Sequence, residues 1–322
     1  MANFVKHKLK ELFNLEGVSD ALTVHALADN TNPFIPKINP DYVFSKDLVR
    51  DMRAFLFKPE GDALFITGPT GAGKTSGVLQ MAARLNWPVQ QKTAHGRMEL
   101  SDLIGFHALV SQAPGQAPVM QFMYGPLARA MRDGHILLIN EFDMADPAEM
   151  AGLNDVLEGH PLVIEQNGGE IINPHPMFRV IVTGNSAGAG DATGLYQGVQ
   201  MQNLASMDRY RFLHVDYASE QVEKAIIAKQ CPKLTSDVID HMISVAKQIR
   251  GLFVGGDSAD SQLSVTMSTR MLVRWAKLTA QFQGAPNAVA MGLDQSLLMR
   301  TIPEEKEAIL RITKDVFGDL WK

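Results

Sequence analysis

The sequence predicts an α/β protein with a mostly parallel sheet, followed by a helical domain. Between about residues 46 and 216, short apolar segments alternate with amphipathic ones, which is typical of a parallel sheet covered by helices on both faces. After about residue 217 the strand pattern stops and apolar residues recur at helical spacing. We therefore predict an N-terminal extension (1–45), an α/β domain (46–216) and a helical domain (217–322).

Five segments are the predicted strands of the sheet. Each is short and apolar, and most are bounded by Gly, Pro or Asn, which interrupt regular structure. They are ALFIT (63–67), VQQKT (89–93), ILLI (136–139), RVIVT (179–183) and RFLHV (211–215).

Helix signals are clearest after the third strand and in the last hundred residues. Asp146 can cap a helix that has Pro147 at its first position. Glu149 would complete a capping box, and Gly159 lies beyond the end. The buried faces of this helix and of two later ones consist of apolar residues at helical spacing: Met150, Leu153 and Leu157; Val238, Ile239, Met242, Ile243 and Ala246; Met271, Leu272, Trp275 and Leu278.

The first residues predict a short packed helix, which we favour over an interaction anchor, and then an ordered linker. The linker, NTNPFIPKINPDY (30–42), carries three prolines. No secretory signal and no apolar run near the ~18 residues of a membrane span is seen, so we expect a cytoplasmic protein. The helix is expected from apolar residues that fall near one helical face: Phe4, Val5, Leu9, Leu12 and Phe13.

Composition restricts the functions that the chain can have. Of its 322 residues, 46% are hydrophobic and 20% are charged, as in an ordinary globular protein. The net charge of −5 gives no overall attraction for nucleic acid or an anionic membrane, although a local basic channel is compatible with it. The single cysteine, Cys231, excludes an internal disulfide and a cysteine zinc cluster.

GPTGAGKT (68–75) matches the full G-x-x-x-x-G-K-[ST] pattern of a phosphate-binding loop. It follows a predicted strand and opens a predicted helix, which is the context that the motif requires. Backbone N–H groups and the helix N-terminus would bind phosphate oxygens, Lys74 would reach the β- and γ-phosphates, and Thr75 would ligate Mg²⁺. The predicted ATP site comprises Gly68, Pro69, Thr70, Gly71, Ala72, Gly73, Lys74 and Thr75.

HILLINEFD (135–143) ends a second apolar strand in Asn140 and Glu141. Next to the phosphate loop, Glu141 is the predicted general base or water-orienting residue. Asn140 can lie at the metal with Thr75 but brings no charge, so we predict reduced Mg²⁺ affinity with retained hydrolysis. Asp143 could add negative charge, but the direction of its side chain is open.

The strand RVIVT leads into Asn185, which can orient the attacking water or contact the γ-phosphate; a turn-forming role is the alternative. Five glycines fall between 184 and 198, so unusual backbone angles or mobility are expected. Beyond them, Arg209 or Arg211 could reach a neighbouring subunit's nucleotide as an arginine finger, or be an ordinary surface residue. Arg270, which begins a helix of the last domain, could report the loss of γ-phosphate.

These motifs together resemble the MoxR-type branch of AAA+ ATPases, and within it the family of small ATPase subunits of aerobic cobaltochelatases. The resemblance covers most of the chain. Its most specific part is GDATGLYQG (190–198), and it extends to NPDYVF (39–44), ARLNWP (83–88), the whole of 184–210 and STR (268–270).

The resemblance implies an αβα sandwich with strand order 5-1-4-3-2 and a helical lid. Asn140 departs from the usual Asp of the family, so weaker metal-dependent hydrolysis than in the family is expected. The implied roles are the P-loop lysine for Lys74, the metal ligand for Thr75, the catalytic glutamate for Glu141, the first sensor for Asn185, the finger for Arg209 and the second sensor for Arg270.

The resemblance also implies a ring, with six subunits expected, a von Willebrand A-domain partner and a client protein. Residues 103–127 resemble the helix-2 insertion and residues 161–178 the hairpin before the first sensor; both would face a pore or partner, unless they are solvated hairpins. In cobaltochelatase the client is a large subunit that inserts Co²⁺ into a corrinoid. In this sequence the histidines lack ligand spacing and are expected to be structural or exposed: His95, His107, His135, His160 and His175.

Three functions are therefore open. The favoured one is an ATP-driven motor, of chelatase type or serving another client. The second is a nucleotide-dependent assembly scaffold that hardly hydrolyses ATP, which Asn140 suggests. The third is a nucleic-acid remodelling AAA+ protein, against which the acidic balance and the lack of a basic-aromatic stripe argue.

Overall fold

The N-terminal extension begins with a small antiparallel sheet. The computed structural model describes residues 3–111, 117–191, 198–253 and 263–321. Strand β1 (Phe4–Lys8), helix α1 (Leu9–Phe13) and strand β2 (Thr23–Leu27) come first, and β1 pairs with β2 over its whole length. The linker that follows contains no helix or strand between residues 30 and 42.

The helix predicted for the first residues is wrong at its start. Phe4 and Val5 lie in β1 and are 42% and 45% exposed, whereas Leu9 and Phe13 are buried in α1 as predicted. The backbone groups of β1 bond to β2, which lies further along the chain. A helical-face pattern in one short segment does not reveal such a distant partner strand.

The α/β region and the C-terminal region contain the remaining regular elements. The α/β elements are α2 (Lys46–Phe57), β3 (Ala63–Thr67), α3 (Lys74–Arg84), β4 (Val89–Thr93), α4 (Ser101–Ile104), β5 (Gly105–Val110), β6 (Val119–Tyr124), α5 (Pro126–Asp133), β7 (Ile136–Asn140), α6 (Pro147–Met150), α7 (Asn154–Leu157), β8 (Leu162–Ile164), β9 (Glu170–Ile172), β10 (Arg179–Thr183), α8 (Leu204–Met207) and β11 (Tyr210–His214). The C-terminal elements are α9 (Glu220–Gln230), α10 (Ser236–Gly251), α11 (Thr269–Gln281), α12 (Ala288–Ser296) and α13 (Pro303–Phe317).

The central sheet has the order β11-β3-β10-β7-β4, and every neighbouring pair is parallel. Numbered among themselves, these five strands give the order 5-1-4-3-2, so the predicted topology is confirmed. Because the strands are parallel, their carboxyl ends meet at one edge of the sheet, where ligands bind in open α/β folds. The loops after β3, β7 and β10 therefore meet there.

The two faces of the sheet carry separate hydrophobic cores. In β3, Phe65 belongs to one core while Leu64 and Ile66 belong to the other, as the two-residue period of a strand requires. The second core also contains Phe13 and Val24, so the N-terminal extension packs against the sheet. The predicted domain boundaries at 45/46 and 216/217 stay predictions.

The helix predicted after the third core strand is present in two pieces. Asp146 caps α6 by accepting a bond from the Ala148 N–H at 2.8 Å, as predicted. Glu149 instead accepts the Leu100 N–H at 3.1 Å, so its carboxylate serves a distant segment. A 3₁₀ turn separates α6 from α7, and the predicted inward residues are buried: Met150, Leu153 and Leu157.

Two antiparallel hairpins occur where the resemblance predicts insertions. They are β5–β6, inside 103–127, and β8–β9, inside 161–178. The first exposes the large apolar side chains of Phe106, Leu109 and Met120. The contact of these hairpins with a pore or partner stays a prediction.

The C-terminal helices form a third core, to which α10 and α11 contribute their predicted apolar residues except Leu278, which is only partly buried and lies outside that core. A buried ion pair ties three of these helices together. Glu223 of α9 is 0% exposed and accepts bonds from Arg250 of α10, at 3.1 and 2.7 Å, and from the Thr269 hydroxyl of α11 at 2.6 Å. This contact braces the first turn of α11. None of the helices within the described ranges has the length and apolar content to cross a membrane.

Glu223→Ala is expected to lower the free energy of unfolding by about 3–5 kcal/mol, because it leaves the Arg250 guanidinium without its buried counter-charge. Chemical denaturation measures the change. The matched control is Glu220→Ala, on the same helix, whose ion pair with Lys247 is exposed and is expected to matter little. Equal unfolding midpoints for the two variants would contradict the expectation.

Candidate nucleotide site

The phosphate loop Gly68–Thr75 connects β3 to α3 and contains three glycines with positive φ, two of which also have no room for a side chain. A Cβ on Gly68 (φ +142°) would lie 2.0 Å from the carbonyl oxygen of Val215, just after β11. A Cβ on Gly71 (φ +78°) would lie 2.6 Å from Cβ and Oγ of Ser268. Only glycine fits at either position. The loop thus packs directly against the sheet on one side and the lid on the other.

Lys74 begins α3 and folds back over the loop. Its side chain is buried, and Nζ donates bonds to the carbonyl oxygens of Gly68 at 2.7 Å and Pro69 at 3.1 Å, and to Asn185 Oδ1 at 3.0 Å. Burial lowers the pKa of Lys74, while the charges of Glu141 and Asp143 oppose this shift. The ammonium group therefore lies at the junction of the loop and the sheet edge.

Thr75 and Asn140, the two predicted metal ligands, are in direct contact. The Thr75 hydroxyl donates to Asn140 Oδ1 at 2.7 Å, and the Thr183 hydroxyl reaches the same oxygen at 3.4 Å. Asn140 Nδ2 is buried and has no hydrogen-bond partner within the described part of the chain. Oxygen donors suit Mg²⁺, so this pair fits the ion, with a set that contributes no charge of its own.

Glu141 lies in the turn after β7 with φ +53°, in the left-handed region. For a residue other than glycine, such a conformation costs about 1–3 kcal/mol and is concentrated at functional sites. Its carboxylate accepts a bond from Asn185 Nδ2 at 3.3 Å. Because Asn185 Oδ1 also accepts from Lys74 and, at 3.3 Å, from Thr70, one amide links the lysine to the glutamate.

Asp143 is a site residue whose role the sequence left open. It lies in a short 3₁₀ turn after Glu141 and is fully buried. Its Oδ2 accepts the backbone N–H groups of Asn185 at 2.7 Å and Ser186 at 3.0 Å. The only sequence signal was an acidic residue three positions after Asn140; the contact itself joins segments about forty residues apart.

Arg270 is brought to the phosphate loop by the lid. It stands in the first turn of α11, and a Cβ on Gly71 would lie 3.6 Å from Arg270 Cβ. The positive charge of Arg270 contributes to the lowered pKa of Lys74. A cleft of about 1180 Å³ opens beside Gly68, Pro69 and Asn185 and continues along the C-terminal helices. This volume is above the roughly 300–1,000 Å³ of a typical small-molecule pocket, so the cleft has room for a nucleotide.

Known proteins share both halves of this architecture. Residues 63–197 match the AAA domain of the dynein-related subfamily, and residues 223–316 match the CbbQ/NirQ/NorQ C-terminal domain. The chain is 31% identical to the aerobic cobaltochelatase subunit CobS of Sinorhizobium sp, over 84% of this chain and 79% of that protein. The chain belongs to the MoxR-type, CobS-like AAA+ ATPases.

Two further proteins resemble this chain, one in sequence and one in fold. The CobS-like chain is 29% identical to an uncharacterised protein of Staphylococcus haemolyticus, over 71% of this chain and 83% of that one. A Thermotoga maritima RuvB mutant superimposes with a TM-score of 0.51 at 12% identity, over 81% of this chain and 73% of that one. At that identity the RuvB likeness shows the fold alone.

Arg209 and Arg211 are not brought to the phosphate loop of their own AAA+ subunit. β11 begins at Tyr210, opposite Ala63, so both arginines lie near the amino end of the parallel sheet. Arg209 is ion-paired with Glu158, and Arg211 with Asp62 at 3.0 Å. A role for either arginine at a nucleotide would require a neighbouring subunit.

Two of the histidines expected to be structural or exposed are His135, which is buried, and His160, which is exposed. His135 is buried and within 3.0 Å of Gln90 Nε2, and burial lowers its pKa. His160 lies in an exposed group with Asp155 and Glu158, whose potential ligand atoms are within 4.8 Å of one another. Exposed acidic groups of this kind are common without a metal. Positions 192–197 of the glycine-rich segment lie outside the described residues.

Proposed function

We propose that the chain is a Mg²⁺-dependent ATPase that acts as a hexameric ring motor. Together with a von Willebrand A-domain partner, it would remodel a client protein. The observation that carries the proposal is the continuous contact from Lys74 through Asn185 to Glu141. Because this contact joins a phosphate-binding lysine to a carboxylate beside an intact phosphate loop, it favours hydrolysis over binding alone.

Phosphate binding falls to the loop and its lysine. Backbone N–H groups of the loop and the α3 N-terminus would hold the phosphate oxygens. Lys74 would exchange the Gly68 and Pro69 carbonyl oxygens for those of the β- and γ-phosphates. Thr75 and Asn140 would hold Mg²⁺, which when bound would neutralise phosphate charge.

Water activation falls to Glu141 and Asn185. Glu141 would orient a water molecule and accept its proton as the water oxygen bonds to the γ-phosphorus. The bond from that phosphorus to the β–γ bridging oxygen breaks, which releases ADP and inorganic phosphate. Asn185 contacts both Lys74 and Glu141 and would keep the two aligned during this displacement.

The ring and its partners are supported by position and by the family. Arg209 lies at the opposite end of the sheet from its own phosphate loop, which suits a residue that completes a neighbour's site. The Sinorhizobium relative is by name a subunit of a cobaltochelatase. A metal-inserting complex is therefore the client that we propose first.

The test is steady-state phosphate release by the wild-type protein with and without Mg²⁺, together with light scattering in the presence of a slowly hydrolysed ATP analogue. Mg²⁺-dependent release and a six-subunit particle are expected. Nucleotide-dependent rings without phosphate release would instead establish an assembly scaffold, the alternative that the uncharged Asn140 favours.

Asn140→Asp is expected to lower the Mg²⁺ concentration for half-maximal activity by about 10–100-fold, because it restores a charge beside Thr75. A Mg²⁺ titration of phosphate release measures the shift. Asn203→Asp is the matched control: it adds the same charge at an exposed cap of α8 and keeps the capping oxygen. An unchanged Mg²⁺ requirement in Asn140→Asp would show that residue 140 does not sense the metal.

A further inference from the structure

Asp143 is the most deeply buried acidic residue at the nucleotide edge of the sheet. Its side chain is 0% exposed. Oδ2 accepts two backbone N–H groups, from Asn185 and Ser186, whereas Oδ1 has no hydrogen-bond partner among the residues that the structure describes. Among the described residues, therefore, only one of the two carboxylate oxygens accepts hydrogen bonds.

Asp143 also touches both ends of the segment that follows β10. A Cβ on Gly184 would lie 3.1 Å from Asp143 Cγ, and the Gln200 N–H donates to the Asp143 carbonyl oxygen at 2.7 Å. The side chain holds the start of the segment and the backbone holds its end. Asn185, which lies between Lys74 and Glu141, thus depends on Asp143 for its position.

Holding two N–H groups does not by itself require a carboxylate. A neutral acceptor such as an Asn side chain could serve, whereas burying an ionised group costs several kcal/mol unless nearby charge compensates. Lys74 and Arg270 bring two positive charges to this edge, and the position where a further acid would be expected holds Asn140. The two carboxylates whose charges act on Lys74 are those of Glu141 and Asp143, so Asp143 brings a second negative charge to this edge.

We propose that Asp143 is a positioning residue that holds the amide of Asn185 and supplies the negative charge that Asn140 lacks. The inference rests on the proposed ATPase function and deepens it: the acidic pair of this site is Glu141 with Asp143, with the second charge moved from the strand end to the turn. A buried Asp that only stabilised the turn would have no coupling to residue 140.

The experiment compares Asp143→Asn with the charge-exchanged double variant Asn140→Asp/Asp143→Asn. Asp143→Asn keeps the shape and one acceptor oxygen, and is expected to lower kcat by about 10–100-fold, with KM for ATP nearly unchanged. The double variant is expected to regain about 10-fold, because it returns the charge to the same edge. Asp146→Asn is the control, since it removes a charge three residues away and keeps the cap of α6.

A double variant no more active than Asp143→Asn, or full activity in Asp143→Asn, would overturn the inference. Thermal unfolding accompanies each measurement. Should Asp143→Asn fail to fold, Asp143→Ser takes its place, because a hydroxyl also accepts an N–H bond and carries no charge.

A binding measurement separates this inference from the proposed function. The affinity for a fluorescent, slowly hydrolysed ATP analogue is titrated against Mg²⁺ in the same variants. The Mg²⁺ requirement is expected to rise about 10-fold in Asp143→Asn and to return in the double variant. If the wild type releases no phosphate yet shows this pattern, the ATPase proposal fails and the role of Asp143 stands. If phosphate is released but the Mg²⁺ requirement does not change in this way, the ATPase proposal stands and the role proposed for Asp143 fails.

Discussion

Glu141→Gln is expected to lower steady-state phosphate release by about 10²–10⁴-fold, the usual contribution of a general base. The Gln side chain still offers an oxygen to Asn185 Nδ2, so the bridge from Lys74 can persist. It cannot accept a proton from water at neutral pH. Nucleotide binding should therefore survive, and the variant should hold ATP in the ring for long periods.

The measurement pairs phosphate release with the affinity for ATP. Glu149→Gln is the matched control, because its carboxylate accepts the Leu100 N–H on the far side of the turn and an amide oxygen can replace it. Release by Glu141→Gln at the wild-type rate, with rings still forming, would leave the scaffold as the better description. A parallel loss of ATP binding would place Glu141 in binding rather than in water activation.

Arg209→Ala is expected to lower phosphate release by about 10³–10⁵-fold in the assembled ring, the range known for arginine fingers. In the isolated subunit Arg209 lies with Glu158, far from its own phosphate loop, so its loss should leave that site intact. The ion pair is partly exposed, and its removal should affect folding only slightly. The defect should thus lie between subunits.

Mixing experiments test this location. Arg209→Ala supplies an intact phosphate loop, and Lys74→Ala supplies an intact finger, so mixed rings should regain part of the activity that each lacks alone. Arg211→Ala is the companion variant, because Arg211 is the second residue of β11, two positions after Arg209, and pairs with Asp62. If Arg211→Ala shows the larger loss and complements Lys74→Ala, the finger is Arg211. If neither mixture with Lys74→Ala is more active than its two separate variants, neither arginine acts as the finger.

The parts of the site that the sequence could predict are those built from neighbouring residues. The phosphate loop carries its own glycines, lysine and threonine, and the five core strands carry their own apolar pattern, so the loop and the strands were predicted correctly. The order of the strands followed from the family resemblance and not from the pattern, and it is also confirmed. The contact of Thr75 with Asn140 also follows, because Thr75 comes after β3, Asn140 ends β7, and the carboxyl ends of both strands lie at one edge of the sheet, on either side of β10.

The parts that the sequence could not predict depend on contacts between distant segments. β1 is a strand because β2 pairs with it, and Glu149 left its expected capping role because Leu100 offers a donor. The side chain of Asp143 is buried because it accepts hydrogen bonds from the backbone N–H groups of Asn185 and Ser186. In each case the conformation of a residue depends on a partner that is distant in sequence and becomes a neighbour only in the folded chain.

The packing of Gly71 against Ser268 couples the phosphate loop directly to one end of helix α11. Ser268 caps α11, which is 13 residues long and so extends about 20 Å from that contact. A tilt of about 5° at the loop would carry the far end of the helix about 2 Å, taking the helix as a rigid rod of that length. Because Gly71 has no side chain between the loop and Ser268, a small movement of the loop around the phosphates is expected to move the far end of α11 by a larger distance.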